Sequence, residues 1–306
     1  MRHVQCLWRV VGLPVVLVAA TTLGCGKDKT EGRPPVAPQL TSPRIAFTRG
    51  FAGIHLYDPA TGNITDISHG FADEDPAISP DGRRIAFVST SGGQRRLMTM
   101  AVDGTDRVPV LTNAQLSPAH PRWSPDSKRI VFTGTNIPSG TYDVYTIIAA
   151  DDSLRPITSG GSSRALAWSP DGARILFVYH SVPANVDSLR EISLASSTTG
   201  FIFGPTGGVV GADYSPDGSK IMATYPDNVL VMNSDGSGAD AQGLPDVSEI
   251  GSPSWSPDGS LIALSAHPVG GGTYDLFLTS PTPADTVQLL LGGAENDSEP
   301  DWGPRP

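Results

Sequence analysis

The stretch WSPDGARILFVY, Trp168 to Tyr179, decides the fold, because the chain writes it five times. Its near copies are ISPDGRRIAFVS from Ile78, WSPDSKRIVFTG from Trp123, YSPDGSKIMATY from Tyr214 and WSPDGSLIALSA from Trp255. Their serines, Ser79, Ser124, Ser169, Ser215 and Ser256, stand 45, 45, 46 and 41 residues apart. A repeat of that period signals propeller blades of four strands.

The phrase reads as strand, tight turn, strand. Proline presets φ for the first turn position, aspartate bonds its own backbone, and glycine accepts positive φ. The run after the turn, as in RIAFV from Arg84 to Val88, puts apolar side chains on both alternating faces, so that strand needs cover on both sides. Between phrases come two weaker strands, for instance YDVYTII from Tyr142 and RPITS from Arg155, joined by the turn-rich AADDSL. A sheet of four such strands cannot bury both faces alone. Neighbouring repeats must stack, and a ring closes the stack without free ends.

The two ends of the chain supply the missing blade. SEPDWGPRP, with Pro300, Trp302 and Pro304, repeats the inner-strand half of a phrase as it stands in HPRWSP from His120. SPRIAFTRG from Ser42 repeats the other half, and GIHLYD from Gly53 and NITDIS from Asn63 follow it. The expected fold is therefore all-β: a six-bladed β-propeller of four-stranded antiparallel blades over residues 42–306. A split blade closes it, one inner strand coming from the C-terminal side and three strands from the N-terminal side. Trp123, Trp168, Trp255 and Trp302 share one repeat position and are expected to wedge between blades. Tyr142 and Tyr274, each followed by an aspartate, Asp143 or Asp275, recur at the start of third strands and are assigned to blade packing.

Residues 1–24 are a different object. Arg2 and Arg9 precede the apolar run VVGLPVVLVAATTLG, which is about as long as an export signal and is interrupted by Pro14. Its end, TTLGC, resembles the lipobox of bacterial lipoproteins, with Gly24 before a cysteine, Cys25, that becomes the lipidated N-terminus. The only other cysteine, Cys6, lies inside the segment to be removed, so lipidation leaves no free thiol on an exported protein. The polar, proline-rich residues 26–41 read as a semi-extended tether. The expectation is an exported lipoprotein of the bacterial cell envelope, facing the periplasm or the cell surface and held to the membrane by its lipid.

Formal charge is -10 over the whole chain and -12 without Arg2 and Arg9. Nucleic acid is a poor partner for such a surface, and a basic protein or a cation a better one.

Five W/Y/I-S-P-D-G-x-x-I-x-F phrases, a split blade and an export signal together resemble the TolB-type propeller repeats, and the resemblance covers nearly all of residues 42–304. In that family the repeat serves as a protein-binding platform in a periplasmic protein, and it also occurs in propellers fused to serine peptidases and in some lyases. The resemblance implies the fold and a range of roles. The G-x-S-x-G and H-E-x-x-H motifs are absent from the chain. The Gly runs at Ser91 and Val269 follow second strands without opening a helix, and the turns VDGTD and NSDGSGAD lack the ligand set of a calcium loop.

Topology places the SPDG turns on one face of the disk and the turns between second and third strands on the other. The second face varies, as GTNIPSGTYD from Gly134, YHSVPANVD from Tyr179, YPDN from Tyr225 and AHPVGGGTYD from Ala266 show. Variable loops on one face mark a binding surface. The candidate rim there is Asp73, Glu74 and Asp75 in one inner-strand link, Glu295, Asp297 and Glu299 in another, Glu249 in a third, and His120. Side by side, these carboxylates could meet a basic partner or hold Ca²⁺. Otherwise no cofactor is expected. His69, His180 and His267 fall near the same face. The leading expectation is a monomeric, non-enzymatic scaffold that binds a protein, peptide or glycan at the variable face. The rival is a metal-dependent lyase or hydrolase acting on a saccharide or peptide at the channel mouth.

Overall fold

A computed structural model describes residues 38–51, 53–282 and 287–305. The export signal, Cys25 and the tether up to residue 37 lie outside these residues. The described chain forms six antiparallel sheets, each with strand positions A to D from the centre outward. Blade 1 is Asp73–Ile78, Arg84–Ser89, Arg96–Ala101 and Val108–Pro109; blade 2 is Leu116–Trp123, Arg129–Asn136, Tyr142–Ile148 and Ser153–Pro156. Blade 3 is Ser163–Trp168, Arg174–Ser181, Val186–Ser193 and Thr199–Thr206; blade 4 is Gly211–Tyr214, Lys220–Tyr225, Asn228–Asn233 and Asp240–Gln242. Blade 5 has an interrupted A strand, Val247–Ser248 and Pro253–Trp255, then Ile262–Pro268, Asp275–Thr279 and Gln288–Leu291. The sixth, closing blade takes its A strand, Asp297–Gly303, from the C-terminal side and Arg44–Arg49, Gly53–Tyr57 and Ile64–Asp66 from the N-terminal side.

Each SPDG turn is held by its own serine. The hydroxyl donates to the aspartate two residues on at 2.5 to 2.6 Å. The same oxygen accepts the N–H that opens strand B, at 2.9 Å in all five copies. The turn glycines have φ of 68° to 72°, and Ser127, which replaces glycine in blade 2, takes the same left-handed conformation at 57°. The B strands that follow are buried on both faces, as at Ile85–Val88.

The A strands touch in cyclic order, closing blade to blade 1 and on round to blade 5 and the closing blade, so the ring is complete. Six apolar clusters fill the structure, one between each adjacent pair of blades. The repeat tryptophans add a directional tie: the indole N–H of Trp123, Trp168 and Trp255 donates to the A-strand carbonyl of Ala77, Arg122 and Asp213 in the preceding blade, at 3.1 to 3.2 Å. Trp302 is buried in the same way, but among the described residues its indole N–H meets no acceptor. Its main-chain N–H is taken instead by the hydroxyl of Ser254 at 2.8 Å.

The split blade is sealed by ladder pairing and by charge. Ile45 pairs with Trp302, and Arg49 grips Asp297 through Nε and Nη2, both at 2.8 Å. The last residues read as tether are already seated: Leu40 N–H donates to the carbonyl of Gly82 at 2.7 Å, and its side chain joins the core between the closing blade and blade 1. The chain therefore enters the ring across the SPDG turn of blade 1.

Candidate binding site at the channel mouth

The site grows out of a dipeptide. In four A strands the residue three before the phrase serine, or its equivalent in the closing blade, is proline: Pro76, Pro121, Pro253 and Pro300. Proline cannot donate to a ladder, so an inner strand that carries one must bulge. Registers shift between Glu74 and Ala77 and between Ala119 and Arg122. Before three of these prolines the chain enters the left-handed region, with φ of 55° at Asp75, 51° at His120 and 54° at Glu299; Ser252, before Pro253, does not. Bulges re-aim side chains. Here they free main-chain N–H groups and turn polar side chains toward the axis.

The freed groups form a relay round the ring. Asp75 N–H donates to Glu299 Oε2 at 2.8 Å, and His120 N–H donates to Asp75 Oδ2 at 3.1 Å. His120 Nδ1 lies 3.1 Å from Asp75 Oδ1, Arg95 Nη2 donates to Asp75 Oδ2 at 3.3 Å, and Thr48 donates to Glu299 Oε2 at 2.9 Å. Arg95 also pairs with Glu74. Burial pushes the Asp75 carboxyl up, but the His120 charge and the hydrogen bonds from His120 and Glu299 together outweigh it and hold the carboxyl below the usual carboxylate range. For Glu299, burial and then the neighbouring Asp75 charge push the carboxyl up to about 8. Glu299 therefore holds a proton at neutral pH, and the pair carries one charge between two carboxyl groups.

These groups open into a cavity of about 650 Å³ lined by Glu74, His120, Arg164, Tyr274 and Glu299, with Phe51 at its edge. Arg164 is held by the carbonyls of Val209 and Val210. The mouth thus offers carboxyl groups, an imidazole, a guanidinium and hydroxyls to one entering group.

The rim expected from the sequence divides. Glu74, Asp75, His120 and Glu299 converge. Asp73 is buried, takes both oxygens to Arg107 Nη2 at 2.7 and 2.8 Å, and accepts the Ser68 hydroxyl at 2.9 Å. Asp297 is buried against Arg49, and exposed Glu295 stands 3.7 Å from the same guanidinium. Glu249 is exposed, 3.7 Å from His267 and 3.5 Å from the Tyr274 hydroxyl. His180 pairs with Asp187 at 2.8 Å, and His69 lies 3.4 Å from the Asp103 carbonyl. Among the described residues, no group of three His, Cys, Asp or Glu side chains is placed to hold a metal ion.

A second ring of side chains went unread in the sequence. Two residues before each phrase serine, or its equivalent, stand Ala77, Arg122, Ala167, Asp213, Ser254 and Asp301. Asp301 accepts Ile78 N–H at 2.7 Å, and Asp213 accepts Trp255 N–H at 3.4 Å. The signal was present as two aspartates where two other copies carry alanine.

The variable face carries one more feature. Four of its turns lift an apolar side chain into solvent: Phe51 is fully exposed, and Ile137, Val182 and Val269 are 58%, 69% and 68% exposed. No family profile matches the chain, and no curated protein matches it. Solved structures do. TolB from Acinetobacter baumannii aligns at 20% identity and TM-score 0.71, over 85% of this chain and 66% of that one. A protein assigned as TolB from Agrobacterium tumefaciens aligns at 18% identity and TM-score 0.69, over 84% of this chain and 98% of that one. An oligogalacturonate lyase in complex with manganese aligns at 13% identity and TM-score 0.53, over 83% and 74%. The chain has the six-bladed fold of TolB-type propellers, and it spans 66% of the length of the Acinetobacter protein.

Proposed function

We propose that this propeller is a non-enzymatic binding scaffold of the bacterial cell envelope that takes a protein or peptide on its variable-loop face. The observation that carries the reading is the set of exposed apolar side chains Phe51, Ile137, Val182 and Val269 in turns of the face that bears the open, carboxyl-lined channel mouth. Apolar side chains grouped on one face around a polar centre are what an interaction surface presents. The acidic balance of the chain adds a preference for a basic partner.

A photo-crosslinking residue placed at position 51, 137 or 182 in the native envelope tests this directly. The same protein should be captured from all three positions and not from the outer-strand positions Phe201 and Leu289, which are also exposed. Equal capture from the outer strands, or three unrelated products, sinks the reading.

We place the protein at the membrane through lipidated Cys25. A Cys25→Ala variant should then move from the membrane to the soluble fraction on cell fractionation; unchanged partitioning rejects the anchor.

A further inference from the structure

The opposite end of the channel is not open. Arg305 reaches into it, with Nη2 2.6 Å and Nη1 3.4 Å from the two oxygens of Asp213, and Nη2 3.5 Å from the Ser254 hydroxyl. Asp301 faces the same guanidinium and also faces Arg122, whose Nη1 donates to the Pro121 carbonyl at 2.8 Å. Around these charges stands an apolar collar built from the repeat itself: Pro80, Pro125, Pro170 and Pro216 of four SPDG turns, with Trp123 and Trp168 beneath them. With Arg305 in place, about 80 Å³ remains between the collar and the charges.

We propose that the SPDG-face end of the channel is a guanidinium-binding site whose occupant is the chain's own Arg305. Three observations converge on that ligand. The site has two carboxylates, Asp213 and Asp301, at positions where blades 1 and 3 carry Ala77 and Ala167. Arg122 offsets one of them and Arg305 the other, so removing Arg305 leaves an unmatched carboxylate in a low-dielectric hole. The contact is made by a flat fork against both oxygens of one carboxylate inside an apolar collar. That arrangement suits a weakly hydrated, planar guanidinium better than a compact, strongly hydrated ammonium. The segment bearing Arg305 directly follows the closing A strand, so filling the site also pins the seam of the ring. An arginine side chain of another molecule is the chemical class that could take its place.

Chemical rescue tests the site. Arg305→Ala should lower the melting temperature by about 5 °C or more, as expected for one partner removed from a buried ion pair in a domain of this size. Methylguanidinium at about 50 mM should recover at least half of that loss in a saturable way, and should shift the native protein by less than about 1 °C. Methylammonium at the same concentration should not rescue. No saturable rescue of Arg305→Ala, or the same shift in the native protein, overturns the proposal. If Arg305→Ala does not fold, Arg305→Lys decides: a melting temperature lowered although the positive charge is kept supports a guanidinium site, and native stability rejects it. Adding Asp213→Asn to Arg305→Ala removes the main acceptor and should abolish the rescue, whereas persisting rescue means that the ligand binds elsewhere.

Discussion

The two faces of this ring are built from the same strands and end in opposite chemistry. On the SPDG face, five turns share one hydrogen-bond scheme, the serine hydroxyl bridging to the aspartate and to strand B. The channel there is stopped by Arg305 under a collar of prolines. On the variable face the turns differ in length, four apolar side chains stand in solvent, and the channel opens into about 650 Å³ between Glu74, His120 and Glu299. Repetition thus marks what holds the ring together, and departure from it marks what the ring can present. The acidic links show the same division within a few residues. Asp73 and Asp297 point into the blades to meet arginines, while Asp75 and Glu299 sit at left-handed, bulged positions, each followed by a proline.

That division is most sharply tested at Asp73. Asp73→Ala strips Arg107, itself stacked 4.6 and 4.7 Å from the rings of Phe71 and Phe87, of its carboxylate partner. Breaking a buried pair from one side costs about 3–5 kcal/mol. Glu295→Ala, in the corresponding link of the closing blade but exposed beside Arg49, should cost about 0–1 kcal/mol. Urea midpoints of the two variants decide. Comparable losses would mean that the two links are not divided between scaffold and surface as drawn here.

The next effect in size lies in the repeat. Ser169→Ala removes the acceptor of Arg174 N–H and the donor to Asp171, and should cost about 1–3 kcal/mol. Any of the five serines should give a similar value, because the geometry is the same in all copies. A wide spread between Ser79→Ala and Ser169→Ala, read by thermal unfolding, would break the equivalence of the turns.

How much of this was legible follows from the same contrast. The period, the SPDG turns, the split blade and the buried tryptophans could be read because all follow from one phrase that recurs round the ring. The tryptophan tie was only half visible: the wedge was expected, but the donation to the preceding blade depends on how blades stack. At the site, carboxyl-rich links were visible, but which carboxylates turn inward was not. That is set by the bulges and left-handed backbone at Asp75, His120 and Glu299, each just before a proline, and not by the charge itself. The Asp213, Asp301 and Arg305 cluster was missed because its members are far apart in sequence and meet only on the axis.

The proton on Glu299 gives a pH-dependent effect. Its folded value of about 8 stands above its ordinary 4.5, so the folded state binds the extra proton. The stability this contributes is complete below about pH 4.5 and is lost as pH rises through 8. Asp75 is shifted the other way, so its contribution is lost only in acid. Glu299→Gln copies the protonated form: its amide oxygen can accept from Thr48 and Asp75, and its NH₂ can donate to Asp75. Relative to the native protein, the variant should gain on the order of 1 kcal/mol per pH unit between pH 5 and 8. Parallel stability curves across that range would show that Glu299 is already ionised.

The smallest effect on stability, and the one that separates the faces most cleanly, belongs to Phe51. Its ring is fully exposed at the edge of the channel mouth, in the turn between Arg49 and Gly53. No core cluster includes it. Phe51→Ser should therefore change unfolding free energy by no more than about 0.5 kcal/mol. If the variable face is the binding face, the same substitution should still cost a captured partner about tenfold or more in affinity, since an exposed aromatic at the centre of an interface is where binding energy concentrates. A variant that unfolds early shows that Phe51 belongs to the scaffold. One that keeps both stability and full partner affinity moves the binding surface away from the mouth.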